Sequence, residues 1–219
     1  MEPGEALDHQ SGPRVRDEKK LRDRLIEHAA READWVLGLQ DECWWTRLAE
    51  PDLFAWSPAD PLRLCGNARD PKGGGPEAVA CYGVLRQDTG GMMLRFCEGR
   101  PVSATTEDFL GWVCEILAGE GKKVFVRVWG TASWHISRRV REWIARHNRR
   151  VYRTRQGCRI RVCGLPVKAP WLNPIEPKWV HGKRAIVEPD RKLSADEVRQ
   201  RACDYYGCKP QPLLAKPAT

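Results

Sequence analysis

The sequence predicts an α/β fold: one mixed sheet made of a three-strand meander and then alternating strands and helices, with helices on both faces. Three observations carry this. Trp35-Val36-Leu37-Gly38-Leu39 and Val124 to Trp129 are apolar runs of the kind found in strands buried on both sides. The segment Gln87-Asp88-Thr89-Gly90-Gly91 is a turn between two further apolar runs, Ala78 to Leu85 and Met92 to Phe96, as in a hairpin. Helical periods then alternate with strands as far as Tyr206.

Taken in order, Asp17 to Ala33 has Leu21, Leu25, Ile26, Ala29 and Ala30 on one helical face. The first strand follows and is expected to end in Gln40-Asp41-Glu42. Leu53 to Trp56 and Pro61 to Leu64 are short extended pieces, and Asn67 to Pro76, rich in Gly and Pro, is a loop. After the hairpin, Phe109, Leu110, Val113, Ile116 and Leu117 form the stripe of a helix that Thr105 or Thr106 can cap and Gly119 or Gly121 can end. The strand from Val124 to Trp129 leads to a helix after Ser133 that buries Ile136, Val140, Trp143 and Ile144 and turns its arginines outward. A strand over Arg159 to Cys163 and helices over Pro174 to Arg184 and Ser194 to Tyr206 complete the fold. In such a sheet, ligands gather at the carboxyl ends of the parallel strands. The two most apolar strands end at Asp41 and Gly130, and these are the places where chemistry is expected.

Composition narrows the class. A hydrophobic fraction of 42% over 219 residues suits a globular domain with a sizeable core. No apolar run is long enough to span a bilayer, and Met1 to Pro13 lacks the basic-then-apolar order of a secretory signal, so a cytoplasmic location is expected. Nine cysteines, an odd number with no CxxC pair, argue against a disulfide framework or a zinc ribbon. The net charge of +8 favours an anionic partner, nucleic acid first. Ten arginines, from Arg138 to Arg161, crowd one stretch, and Lys178, Lys183 and Arg184 follow. Arginine's planar fork suits phosphate oxygens, although a solvated helix face is the plainer reading of such a run.

Three segments carry a family resemblance. Gln40-Asp41-Glu42-Cys43-Trp44-Trp45, Val128-Trp129-Gly130-Thr131-Ala132-Ser133-Trp134-His135 and Leu172-Asn173-Pro174-Ile175-Glu176-Pro177-Lys178-Trp179 resemble bacterial insertion-sequence transposases of the mariner-like superfamily. The likeness runs from about Lys19 to Cys208, and its third segment is the most specific. It implies a ribonuclease-H-like DDE transposase and endonuclease domain over residues 17–208, between flexible tails at 1–16 and 209–219. It also implies that Asp41 and Glu176 are catalytic metal ligands. In the family such residues hold two divalent cations, usually Mg2+ and alternatively Mn2+, for phosphodiester cleavage and strand transfer. Hard oxygen donors suit these ions, and a pair of them flanks the reacting phosphorus.

The chain departs from that pattern at Gly130-Thr131, where the family has Asp-Asn, so the carboxylate that would bridge both metals is missing. Glu42 is no replacement, because successive strand residues point to opposite faces, and His135 is a poor ligand for magnesium. Metal binding is therefore expected to be weakened and activity low or absent. Plainer readings stand beside these. Asp41 can be read as a strand-end turn residue, and Asn173, Pro174 and Glu176 mimic a helix cap, first turn and capping-box partner. Trp179 reads as packing, and Trp44 and Trp45 as core or rim residues.

Double-stranded DNA is the expected partner, through Arg138, Arg149, Arg150, Lys178, Lys183 and Arg184, with a homodimer the assembly to test and no membrane partner. The sequence leaves little room ahead of the first strand for the family's helix-turn-helix reader of transposon ends, so sequence-independent binding is expected. The alternatives are a non-catalytic, domesticated DNA-binding or interaction protein on the same fold, and an unrelated nuclease, which would need another carboxylate cluster.

Overall fold

A computed structural model describes residues 23–48, 53–55, 62–64, 78–130, 137–164, 173–187 and 191–215, with backbone alone at 53–55 and 62–64. Helix α1 covers residues 23–31. Strand β1 is Trp35–Thr46, β2 Leu53–Ala55, β3 Leu62–Leu64, β4 Ala78–Arg86 and β5 Met92–Phe96. Helix α2 is Ser103–Gly119, β6 Val124–Trp129, α3 Arg138–Thr154 and β7 Arg159–Gly164; α4 is Ile175–Ile186 and α5 Ala195–Tyr206. The main sheet runs β5-β4-β1-β6-β7, and β2 and β3 form a separate antiparallel pair. The strands β1, β4 and β5 are antiparallel neighbours, while β1, β6 and β7 run parallel. This is the mixed α/β sheet that the sequence predicts, and no helix among the described residues is long and apolar enough to cross a membrane.

Strand alternation sorts the core into two layers. On one face Val36, Tyr82, Val84, Phe125, Trp129 and Ile160 pack under α2 and α3. On the other, Cys43, Trp45, Cys81 and Leu94 pack under α4 and α5, and Leu37, Val126 and Val128 under α1. Every cysteine among the described residues is free, and all but the half-buried Cys208 are buried. Their use as small apolar core residues follows.

Several local expectations need correction. β1 does not stop at Asp41. Its pairing with β6 ends at Leu39↔Val128, but its pairing with β4 continues to Thr46↔Ala78. Trp44, Trp45 and Thr46 favour this extension, since bulky and β-branched side chains fit a pleated, half-buried surface. Neither Thr105 nor Thr106 is the cap of α2. Val102 is, and both threonines lie in the first turn, where their hydroxyls meet the Val102 carbonyl and the Tyr82 hydroxyl. Residues 209–215, expected to be loose, are tied down. Leu214 is buried, its N–H donates to Phe96 O at 2.8 Å, and its carbonyl accepts from Glu98 N at 2.9 Å. A single apolar side chain and two backbone bonds along the open side of β5 are enough to seat the segment. The expected loop at Asn67 to Pro76, the tail at 1–16, Ser133, His135 and Ile136 lie outside the described residues.

Candidate functional site

Past Leu39 and Val128 the two central parallel strands separate, which opens the sheet at its carboxyl edge. Asp41 and Gly130 each follow the last β1–β6 pair by two residues. Alternation puts both on the face covered by α4, because Leu37, Leu39 and Val128 belong to that layer. Asp41 lies opposite Gly83 of β4. A Cβ on Gly83 would meet Trp179 Cζ2 at 2.6 Å, so the absence of a side chain there lets the indole sit on the strand. From that seat Trp179 Nε1 donates to Asp41 Oδ2 at 3.0 Å.

The start of α4 is fastened to the same strand. Asn173, buried, donates from Nδ2 to Gln40 O at 3.3 Å, and its Oδ1 accepts from Ile175 N at 3.4 Å. The cap of the helix is Pro174 without a side-chain bond, so the Asn173-to-Glu176 capping box expected from the sequence does not form. The Glu176 side chain lies near enough to Asp41 for its charge to act on that carboxyl. Ile175, Trp179, Gly182 and Ile186 form the buried stripe of α4. A Cβ at Gly182 would meet Trp45 Cη2 at 3.0 Å and also the Tyr206 hydroxyl, so this glycine sets the close approach of the helix to β1.

The electrostatics report the convergence. Burial, then the charge of Glu176, then that of Glu42, push the Asp41 carboxyl up to about 7, against a smaller downward pull from the Trp179 bond. Two carboxylates so placed repel one another until a cation or a proton intervenes. Lys183, two turns beyond Glu176 on the same flank of α4, reaches the neighbouring Cys43. Burial pushes the Cys43 thiol up to about 12, against the pull of the Lys183 ammonium. Glu42 faces the other layer. It accepts from Gln40 Nε2 at 3.4 Å, and its charge supports that of Arg127, a fully buried guanidinium stacked on Trp129. It acts on Asp41 through its charge, from the opposite face of the strand.

The predicted residues therefore separate into groups. Asp41, Glu176 and Lys183 come together, with Gly130 at the same edge. Lys178 lies on the far flank of α4 and Arg184 on its outer surface, both exposed. Arg138, Arg149 and Arg150 are exposed on α3, in the layer on the other side of the sheet, and Arg138 is paired with Glu142 at 2.7 Å. Sequence reading missed Asn173 as a brace and Trp179 as a partner of Asp41. The Leu-Asn-Pro-Ile-Glu-Pro-Lys-Trp spacing held the signal, since Trp179 follows Glu176 by one helical turn. Among the described residues no group of three or more His, Cys, Asp or Glu is arranged to hold a metal ion.

No family model matches the chain, and neither does any curated relative. Solved structures do match. The chain resembles the Mos1 transposase paired-end complex with left transposon end at a TM-score of 0.60 and 15% identity, over 95% of this chain and 59% of that one. It resembles the Mos1 mariner paired-end complex with Mn at 0.60 and 15%, over 96% of this chain and 60% of that one. The catalytic domain of Mos1 mariner transposase matches at 0.57 and 14% identity, over 95% of this chain and 86% of that domain. The chain thus has the ribonuclease-H-like fold of that catalytic domain, and it spans about 59% of the length of the transposase in the paired-end complex.

Proposed function

We propose that residues 17–208 are the catalytic domain of a DDE-type DNA transposase of insertion-sequence type, with DNA cleavage and strand transfer impaired by Gly130. The observation that carries this reading is the convergence of Asp41 and Glu176 at the carboxyl edge of a Mos1-like sheet, with a residue that has no side chain at the third corner. In this reading Asp41 and Glu176 hold a divalent cation, Mg2+ or Mn2+, which when bound polarises a phosphodiester oxygen. Trp179 and Asn173 position the two carboxylates. Lys183, with Arg184 and Lys178 on the same helix, contributes positive charge for the DNA backbone.

The empty third corner also supports the second reading, a domesticated DNA-binding protein that no longer cuts. The test is plasmid nicking by the purified chain with Mg2+ and with Mn2+, beside Glu176→Gln. The impaired-transposase reading expects nicking slower than that of an intact relative by orders of magnitude, since each metal contributes several kcal/mol and about 1.4 kcal/mol is tenfold in rate. Rapid nicking that Glu176→Gln abolishes would contradict the impairment. Duplex binding with no nicking under either metal would leave the domesticated reading, and nicking that survives Glu176→Gln would place the cleavage outside this site.

A further inference from the structure

The arginines of α3 form a surface separate from the candidate catalytic centre. The buried stripe of this helix is Val140, Ile144, His147 and Val151. At about 100° per residue, Arg146, Arg149 and Arg153 fall on the opposite, solvent-facing side and Arg150 on the adjoining flank, and all four are exposed. Arg138 and Arg139, at the start of the helix, are neutralised by Glu142 and Glu107. None of the four later arginines has a carboxylate partner among the described residues. The helix that presents them is held firmly: His147 Nε2 bonds Cys158 O at 2.8 Å, and Asn148 makes bonds of 2.9 and 2.8 Å to the backbone of Ile160.

Placement decides what this surface can serve. α3 packs on the sheet face opposite Asp41, and it runs from the carboxyl edge back towards the start of β7. Arg146 already lies about 12 Å along the helix from Arg138 at a rise of about 1.5 Å per residue. The sheet and the helix layer stand between these guanidinium groups and the Asp41 face. These arginines therefore do not reach the phosphate that would react at Asp41 and Glu176. The four arginines span about 10 Å, roughly three steps of about 3.4 Å along a nucleic-acid strand.

We infer that the Arg146–Arg153 face of α3 binds the phosphate backbone of a second DNA duplex while α4 holds the first. This rests on the reading of DNA as the partner given above. Arginines on a firmly held helix, with no counter-ion among the described residues, are suited to phosphate oxygens, and the binding carries no sequence preference, because backbone contacts position without specifying.

The test is duplex bridging. A short biotinylated duplex is fixed on beads, the purified chain is added at low salt, and capture of a second, fluorescent duplex is measured, with anisotropy of each duplex alone in parallel. Two variants are compared: Arg146→Ala/Arg149→Ala/Arg150→Ala/Arg153→Ala on α3, and Lys178→Ala/Lys183→Ala/Arg184→Ala on α4. Each should still bind one duplex and fail to capture the second. The α3 variant should show a log–log salt slope shallower by about 2–4, at roughly 0.9 for each phosphate no longer neutralised. Lysine at the same four α3 positions should keep most of the capture, which separates loss of charge from loss of fold. Undiminished bridging by the α3 alanine variant, or by the α4 variant, would overturn the two-surface inference. Absence of any duplex binding by the unaltered chain would overturn the DNA reading itself.

Discussion

Asp41 and Gly130 hold equivalent places, each two residues past the last β1–β6 pair, yet their surroundings differ. Around Asp41 the chain has fitted an indole over Gly83, a hydrogen bond of 3.0 Å, and an asparagine brace to the residue before it. Around Gly130, among the described residues, no atom lies within 4 Å of where a Cβ would stand, and its φ is not positive. One corner is crowded and electrostatically costly, with the carboxyl pushed up to about 7. At the other, no described residue occupies the place of a side chain. On the reading proposed above, the site keeps the support of one ligand after losing another, because packing and chemistry are carried by different residues.

The largest effect should come from breaking the crowded corner. Gly83→Val drives a side chain into Trp179, and urea unfolding should show a loss of about 3 kcal/mol, as expected of overpacking in a closed core. Gly130→Ala should change stability by less than about 0.5 kcal/mol, as at an unencumbered position. Equal losses at the two glycines would erase the contrast.

A smaller effect should follow pH. Because the Asp41 carboxyl is raised in the folded chain to about 7 from 3.8, the folded state holds its proton more tightly than the unfolded state. Its contribution is full below about pH 4 and is lost as pH rises through about 7. Asp41→Asn should therefore raise stability relative to the unaltered chain by about 2 kcal/mol at pH 8, and by nothing comparable at pH 4. A gain that does not depend on pH would place its cause elsewhere.

Trp179→Phe keeps most of the packing and removes the bond to Asp41. It should cost about 1 kcal/mol at pH 8 and move the carboxyl titration, followed by NMR, further upward. An unmoved titration would show that the indole only packs.

Much of this architecture was legible in the chain. The apolar runs at Trp35–Leu39 and Val124–Trp129 marked the central strands because a strand covered on both faces needs apolar residues on both. The extension of β1 was not legible, since Gln40-Asp41-Glu42 looks like a polar strand end. Only pairing with β4, an interaction between distant segments, keeps it extended. Leu214 was hidden for a related reason: one leucine in a Pro-rich tail has no period, and its seat is made by β5. Asp41 and Glu176 could be singled out from their motifs. The basic residues, grouped in sequence as one DNA-contacting set, prove to lie in separate layers, which charge counting along a chain has no means of resolving.

The sharpest test restores the missing corner. Gly130→Asp, where the space and backbone torsions accept a side chain, should increase Mn2+ affinity measured by calorimetry at pH 8 by about tenfold or more, or about 1.4 kcal/mol. The unaltered chain should bind weakly, and Gly130→Asp combined with Glu176→Gln should fall back to its level. If Gly130→Asp folds normally and binds Mn2+ no better than the unaltered chain, Gly130 is not the third corner of a metal centre and the impaired-site reading is contradicted.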